Sequence, residues 1–183
     1  MNTQEKIVYL MRGLPATGKS HTAKKLAGDR GIICETDEFF YKHVGEDPTQ
    51  FNYAESLLPK ARAWNYARFE QYTASGVTPI VVDRDNGLSQ ETQKYTRCAL
   101  KHGYRVEIRE PESEWWQEIR VLLKYKDLTG PVLDQWSKEL AFYSSYIHRV
   151  PAATIRRRME NWIHGLTVED ILNYCPDSTE SLG

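Results

Sequence analysis

The octapeptide Gly13-Leu14-Pro15-Ala16-Thr17-Gly18-Lys19-Ser20 has the spacing G-x-x-x-x-G-K-[ST]. Glycines so placed let backbone N–H groups turn inward around phosphate oxygens. A helix opening near Gly18 adds unpaired N–H groups and the positive end of its dipole. Lys19 is then a cation for the β and γ phosphates, Ser20 a hydroxyl ligand for Mg²⁺, and His21 the last residue of the nucleotide-binding stretch. A chance match in 183 residues is on the order of one in a hundred. The stretch therefore reads as an ATP site.

Phosphoryl transfer also needs carboxylates. In open parallel sheets ligands gather outside the carboxyl ends of strands, and acidic residues follow two of the apolar runs here. Asp83 closes Pro79–Val82 and is the expected Mg²⁺-site carboxylate; Asp85, two residues on, also belongs to a good turn, Asp85-Asn86-Gly87. Asp37 follows Ile32–Cys34 and is the expected base for an acceptor hydroxyl, with Glu35 and Glu38 as alternatives and helix capping as a competing role. Arg149 and Arg156 are the expected lid cations over the transferred phosphate, against a solvated helix face for Arg156-Arg157-Arg158. The five histidines show no metal spacing and read as surface or helix-end residues. Trp115, Trp116, Trp136 and Trp162 read as packing aromatics.

These residues need a frame. Ile7–Met11 is too short and too apolar for anything but a buried strand, and it stops at Gly13. Further strands are expected at Ile32–Cys34, Pro79–Asp83 and Tyr104–Ile108. Between them, helices are expected over Lys19–Ala27, Leu58–Ser75 and from a Ser89 cap to Leu100, with residues 41–53 an exposed loop. Strand and helix alternating in this way imply an α/β fold with a mostly parallel central sheet covered on both faces. Beyond Pro111 only helices are expected: Ser113–Tyr125, Leu133–Tyr146, Ala152–His164 and Val168–Tyr174. Residues 1–175 thus read as one domain, with a core over 5–123, a helical insertion and lid over 124–165, and a flexible tail over 176–183.

Composition narrows the partners. Lys plus Arg number 24 against 25 Asp plus Glu, and the net charge of −1 provides no broad cationic field for nucleic acid. No apolar run approaches the roughly 20 residues of a membrane helix, and Met1–Lys6 does not open a secretory signal. Cys34, Cys98 and Cys175 form neither a disulfide framework nor a metal knuckle and read as buried, reduced thiols of a cytoplasmic protein. Nothing points to an obligate protein partner.

Several segments together resemble the AAA-type P-loop kinase-like family, which includes polynucleotide 5'-hydroxyl kinase-like ATP-binding proteins. They are Arg12–Ser20, Thr36–Phe40, Trp64-Asn65 with Arg68, Gly76–Asp83, Gly103–Val106, Glu110-Pro111 with Trp115, and His148–Pro151 with Ile155 and Met159. The similarity covers most of residues 5–163. It implies a three-layer kinase fold, ATP as donor, and a 5'-hydroxyl of RNA or DNA as acceptor, and it puts Asp37 at the position of the general base. The chain departs from the family in three places. Asp83-Arg84-Asp85-Asn86 stands for Asp-Asn-Thr-Asn, and Phe40 replaces an arginine for acceptor phosphate. Lys124–Ser144 is an insertion, ending where relatives carry lid arginines. A small-metabolite kinase and an ATP-binding regulatory module are the alternative readings.

Overall fold

Strand β1 (Ile7–Met11) is apolar throughout because both its faces are covered. Val8 and Leu10 enter one core with Phe69, Tyr95 and Ala99, while Tyr9 and Met11 meet Ala23, Leu26 and Ala27 on the other side. The structure, a computed structural model, describes residues 3–146 and 148–176. Strands β2 (Ile32–Glu35), β3 (Ile80–Asp83) and β4 (Arg105–Arg109) join β1 in a four-stranded sheet of order β2-β3-β1-β4, parallel at every pairing. Helix α1 (Lys19–Ala27) covers one face; α3 (Leu58–Ala74) and α4 (Gln90–Lys101) cover the other. This is the expected α/β alternation, and it brings the ends of β1, β2 and β3 to one edge of the sheet.

Ser89 caps α4 through its side chain, accepting from the Thr92 amide, and Ser113 does the same for α5 (Glu114–Lys124) by accepting from Trp116. The larger differences from expectation are three. A short helix α2 (Glu38–Lys42) precedes the irregular stretch, which then passes through a 3₁₀ turn at Glu55–Leu57. Helix α6 (Gly130–Ser144) begins three residues before Leu133 because Pro131 fits the first turn, where a missing N–H leaves nothing unpaired. Helix α7 (Ala152–Glu160) stops short of His164, which frees Trp162 to lie 3.7 Å from the Arg12 guanidinium and 5.1 Å from Trp116. Helix α8 (Val168–Leu172) opens on a capping box made by Thr167 and Asp170 and packs on α4.

The C-terminal helices build a second core. Trp116, Ile119, Leu123, Leu133, Leu140, Ile155 and Met159 are buried together, and Leu14 of the octapeptide is buried among them. Cys34 and Cys98 are buried as expected, whereas Cys175, beyond the last helix, is exposed. Among the described residues no helix is long and apolar enough to cross a membrane. The expected tail lies, from residue 177 onward, outside the described residues. Leu133 is fully buried in the second core, so Leu133→Ala should lower unfolding free energy by about 2–5 kcal/mol, read as a lower denaturant midpoint.

Candidate active site

The chain leaving β1 turns back on itself at Gly13, where an added Cβ would lie 2.9 Å from Pro111 Cδ and 3.1 Å from Thr17 Oγ1. Ala16 and Gly18 take positive φ values of 59° and 96°. Donors within and around the loop hold its carbonyls. Thr17 Oγ1 donates to the Leu14 carbonyl at 2.6 Å, Trp115 Nε1 to Ala16 at 3.0 Å, and Ser113 Oγ to Thr17 at 2.7 Å. Lys19 Nζ donates to the carbonyls of Gly13 and Leu14 at 3.1 and 2.8 Å, and it caps the loop from within. Among the described residues the amides of Ala16, Thr17 and Gly18 donate to no protein group, which suits them to anionic oxygens. Burial pushes the Lys19 ammonium below its ordinary range, and Asp85 and Asp83 oppose that shift.

Ser20 opens α1 and donates its hydroxyl to Asp83 Oδ2 at 2.9 Å. Asp83 is buried, and burial raises its carboxyl, with Lys19 and the Ser20 hydroxyl pulling the other way. A buried carboxylate beside a hydroxyl, short of positive charge, is a donor set that Mg²⁺ fits. Asn86 fixes this corner, its Nδ2 donating to the carbonyls of Met11 and Val82 at 2.6 and 2.9 Å across the ends of β1 and β3. Arg158 of α7 comes within 3.7 Å of Asp85 Oδ2.

Across from the loop, β2 delivers Glu35 and Asp37. Arg68 of α3 holds this strand end: it donates to the Glu35 carbonyl at 3.0 Å, pairs with Glu38 Oε2 at 2.5 Å and lies 4.0 Å over the Trp64 ring. Asn65, fully buried, donates to the Tyr95 hydroxyl at 2.9 Å and to Thr36 Oγ1 at 3.4 Å, while its own carbonyl accepts from Arg68. Asp37 sits at the N-cap position of α2, yet its side chain makes no capping bond. Its carboxylate stands 3.3 Å from His148 Nδ1, without hydrogen-bond alignment. Glu35, Asp37 and His148 bring one ligand atom each within 4.8 Å of one another. Burial, then repulsion from Asp83, Asp37 and Glu38, pushes Glu35 up to about 7 against the pull of Arg68.

The residues singled out in the sequence fall into distinct places. Gly13 to Ser20 form the loop, Pro15 half-buried within it, and His21 is exposed on α1. Asp83 and Asp37 stand at the same sheet edge. Arg149 is exposed at a positive φ of 51°, and Arg156 is engaged by Asp134 and Glu160, each at 2.6 Å. Ile155 and Met159 face inward, so Arg156 and Arg158 flank them on opposite sides of α7 while Arg157 points to solvent. The helical spacing could have separated these three. His148, grouped in the sequence with surface histidines, was missed. A turn carries it in: the amides of His148 and Arg149 both donate to the Ser144 carbonyl, and Val150 N–H donates to Ser144 Oγ at 3.0 Å. Trp115, expected to pack, is 44% exposed and serves the loop through its indole N–H.

Residues 8–119 match the AAA domain family. Over 143 residues, 77% of this chain, the sequence is 29% identical to human NEDD4-binding protein 2, of which the match spans 8%.

The Glu35 carboxyl gives the site a pH signature. Unfolded it titrates near 4.5 and folded near 7, so the native state holds its proton more tightly and stability falls as pH rises between those values, then levels. Glu35→Gln lacks this titration. Between about pH 5 and 7 the parent's denaturant midpoint should fall relative to that of Glu35→Gln, and above about pH 7 the gap should stay constant.

Proposed function

The chain belongs to the AAA domain family, and from that premise we propose that it is an ATP- and Mg²⁺-dependent kinase acting on a hydroxyl acceptor, with the 5'-hydroxyl of RNA or DNA as the leading acceptor. One observation supports the reading: Asp37, whose carboxylate caps no helix and has His148 at 3.3 Å, stands at the same sheet edge as a phosphate loop whose Ser20 already bonds Asp83 of β3.

In this reading the amides of Ala16–Gly18 and the ammonium of Lys19 receive the phosphates, and Lys19 leaves the Gly13 and Leu14 carbonyls to do so. Ser20 and Asp83 would hold Mg²⁺, which when bound supplies positive charge against the phosphates. Asp37 accepts the proton of the acceptor hydroxyl as its oxygen attacks the γ phosphorus, and ADP departs. His148 positions the Asp37 carboxylate. Arg158, beside Asp85, and exposed Arg149, next to His148, are the arginines whose side chains would turn to the transferred group, whereas Arg156 is paired with Asp134 and Glu160. The net charge of −1 favours, as a second reading, a small acceptor such as a nucleoside or nucleotide sugar.

Purified protein given γ-labelled ATP and 5'-hydroxyl oligonucleotides should transfer label to the strand end. Transfer to nucleosides but not strands would select the second reading, and its rate should then be insensitive to salt. Asp37→Asn should lower turnover about 100-fold or more with ATP affinity nearly unchanged, as measured by single-turnover kinetics and nucleotide titration. Arg158→Ala should lower turnover about tenfold or more.

A further inference from the structure

The wall beside Asp37 is a run of aromatic rings. His148 meets Phe51 edge-on with centroids 5.1 Å apart, and Phe51 lies nearly parallel to Tyr53 at 6.1 Å and 21°. Phe40, fully buried, backs Tyr53 at 5.0 Å and Phe51 at 5.8 Å, and Tyr41 meets Phe51 at 5.2 Å. The segment that presents these rings is built rather than slack. Asn52, between Phe51 and Tyr53, donates from its side chain to the Val44 carbonyl at 2.9 Å and from its amide to the Phe40 carbonyl at 3.3 Å. Gly45 adopts a φ of 85°, and a Cβ there would meet Asn52 Nδ2 at 2.6 Å.

Phe39, Phe40, Ala61 and Trp64, with Phe51 at the margin, account for a small core. Tyr53 does not belong to it and is 53% exposed. Charge does not explain the wall either, because Arg68 and Lys42, the cations flanking Asp37 on α3 and α2, are both bound to Glu38. What the wall offers a ligand is aromatic surface, half-exposed at Tyr53 and continuous through Phe51 and His148 with the Asp37 carboxylate, and aromatic surfaces hold bases with little regard to identity.

We propose that Phe51 and Tyr53 are the acceptor-binding surface, stacking a planar ring that the acceptor carries next to its reacting hydroxyl, as a nucleoside does. The inference rests on the kinase reading for the chemistry, but the stacking can be read by binding alone. The ring can belong to a free nucleoside or to the terminal residue of a strand, and Tyr53 meets both in the same way.

The test compares a short 5'-hydroxyl oligodeoxynucleotide with the same strand whose 5'-terminal residue is abasic, and adds free adenosine. Affinity is measured by fluorescence anisotropy of the 3'-labelled strands, and for adenosine by competition against them, with Mg²⁺ and a non-hydrolysable ATP analogue saturating the nucleotide site. KM and kcat are measured with ATP. Removing the terminal base, or Tyr53→Ala, should each weaken binding and raise KM about tenfold or more while kcat moves little. The two losses should not add, so the abasic strand is indifferent to Tyr53→Ala, and Tyr53→Phe should keep the preference for the intact strand. The ratio of kcat/KM for adenosine to that for the strand identifies the source of the ring. Tyr53→Ala weakening intact and abasic strands equally would overturn the proposal, as would equal binding of both strands by the parent, or failure of the strands and of adenosine alike to bind. Absence of label transfer with a retained, Tyr53-dependent preference for the intact strand would instead remove the kinase reading and leave the stacking surface standing.

Discussion

Everything at the sheet edge depends on where the carbonyl oxygens of the Gly13–Ser20 loop go. A backbone that directs several amides to one point must send its carbonyls the other way, and buried carbonyls need donors. Thr17, Lys19, Ser113 and Trp115 supply them. Two of these four lie about a hundred residues further along the chain, as the sequence separations of 96 and 99 make plain. The loop is therefore not a self-contained motif. Its curvature is held by the start of α5, and Pro111, three residues ahead of that helix, fills the space a side chain at Gly13 would need.

The same edge concentrates negative charge. Glu35, Asp37 and Asp83 converge from two adjacent strands, with Glu35 directly paired to Asp83 in the register. Such crowding is unfavourable without compensating cations, and burial adds to the cost. Arg68 offsets part of it, itself oriented by Asn65, Glu38 and the Trp64 face. The rest of the cost shows at Glu35 and Asp83, both raised, although Lys19 and the Ser20 hydroxyl oppose the shift at Asp83.

The frame was largely legible in the sequence because it obeys simple periods. Buried-on-both-sides strands read as unbroken apolar runs, and the glycine-lysine pattern between the first strand and helix needs no tertiary information. Trp64, Asn65 and Arg68 could be picked out by resemblance, but their work on the backbone around Glu35 and Thr36 was visible only in three dimensions. His148 illustrates the limit. Its approach to Asp37 depends on a turn closed by Ser144 and on a non-glycine residue, Arg149, at positive φ, and nothing in composition announces that. The short α2 escaped for a related reason: five residues are too few to display a helical period.

Leu14 is both a member of the phosphate loop and a fully enclosed member of the core made by α5, α6 and α7. A side chain so seated couples two bodies mechanically. The C-terminal helices cannot swing away from the loop as a flap without drawing Leu14 out of its socket or bending the backbone it belongs to, and Arg12, bonded to the Ile163 carbonyl and stacked on Trp162, fastens the same seam a second time. Any opening at this sheet edge must then come from the opposite rim, where α2 and the aromatic segment after it join the rest through Arg68 and the small core around Phe39 and Phe40.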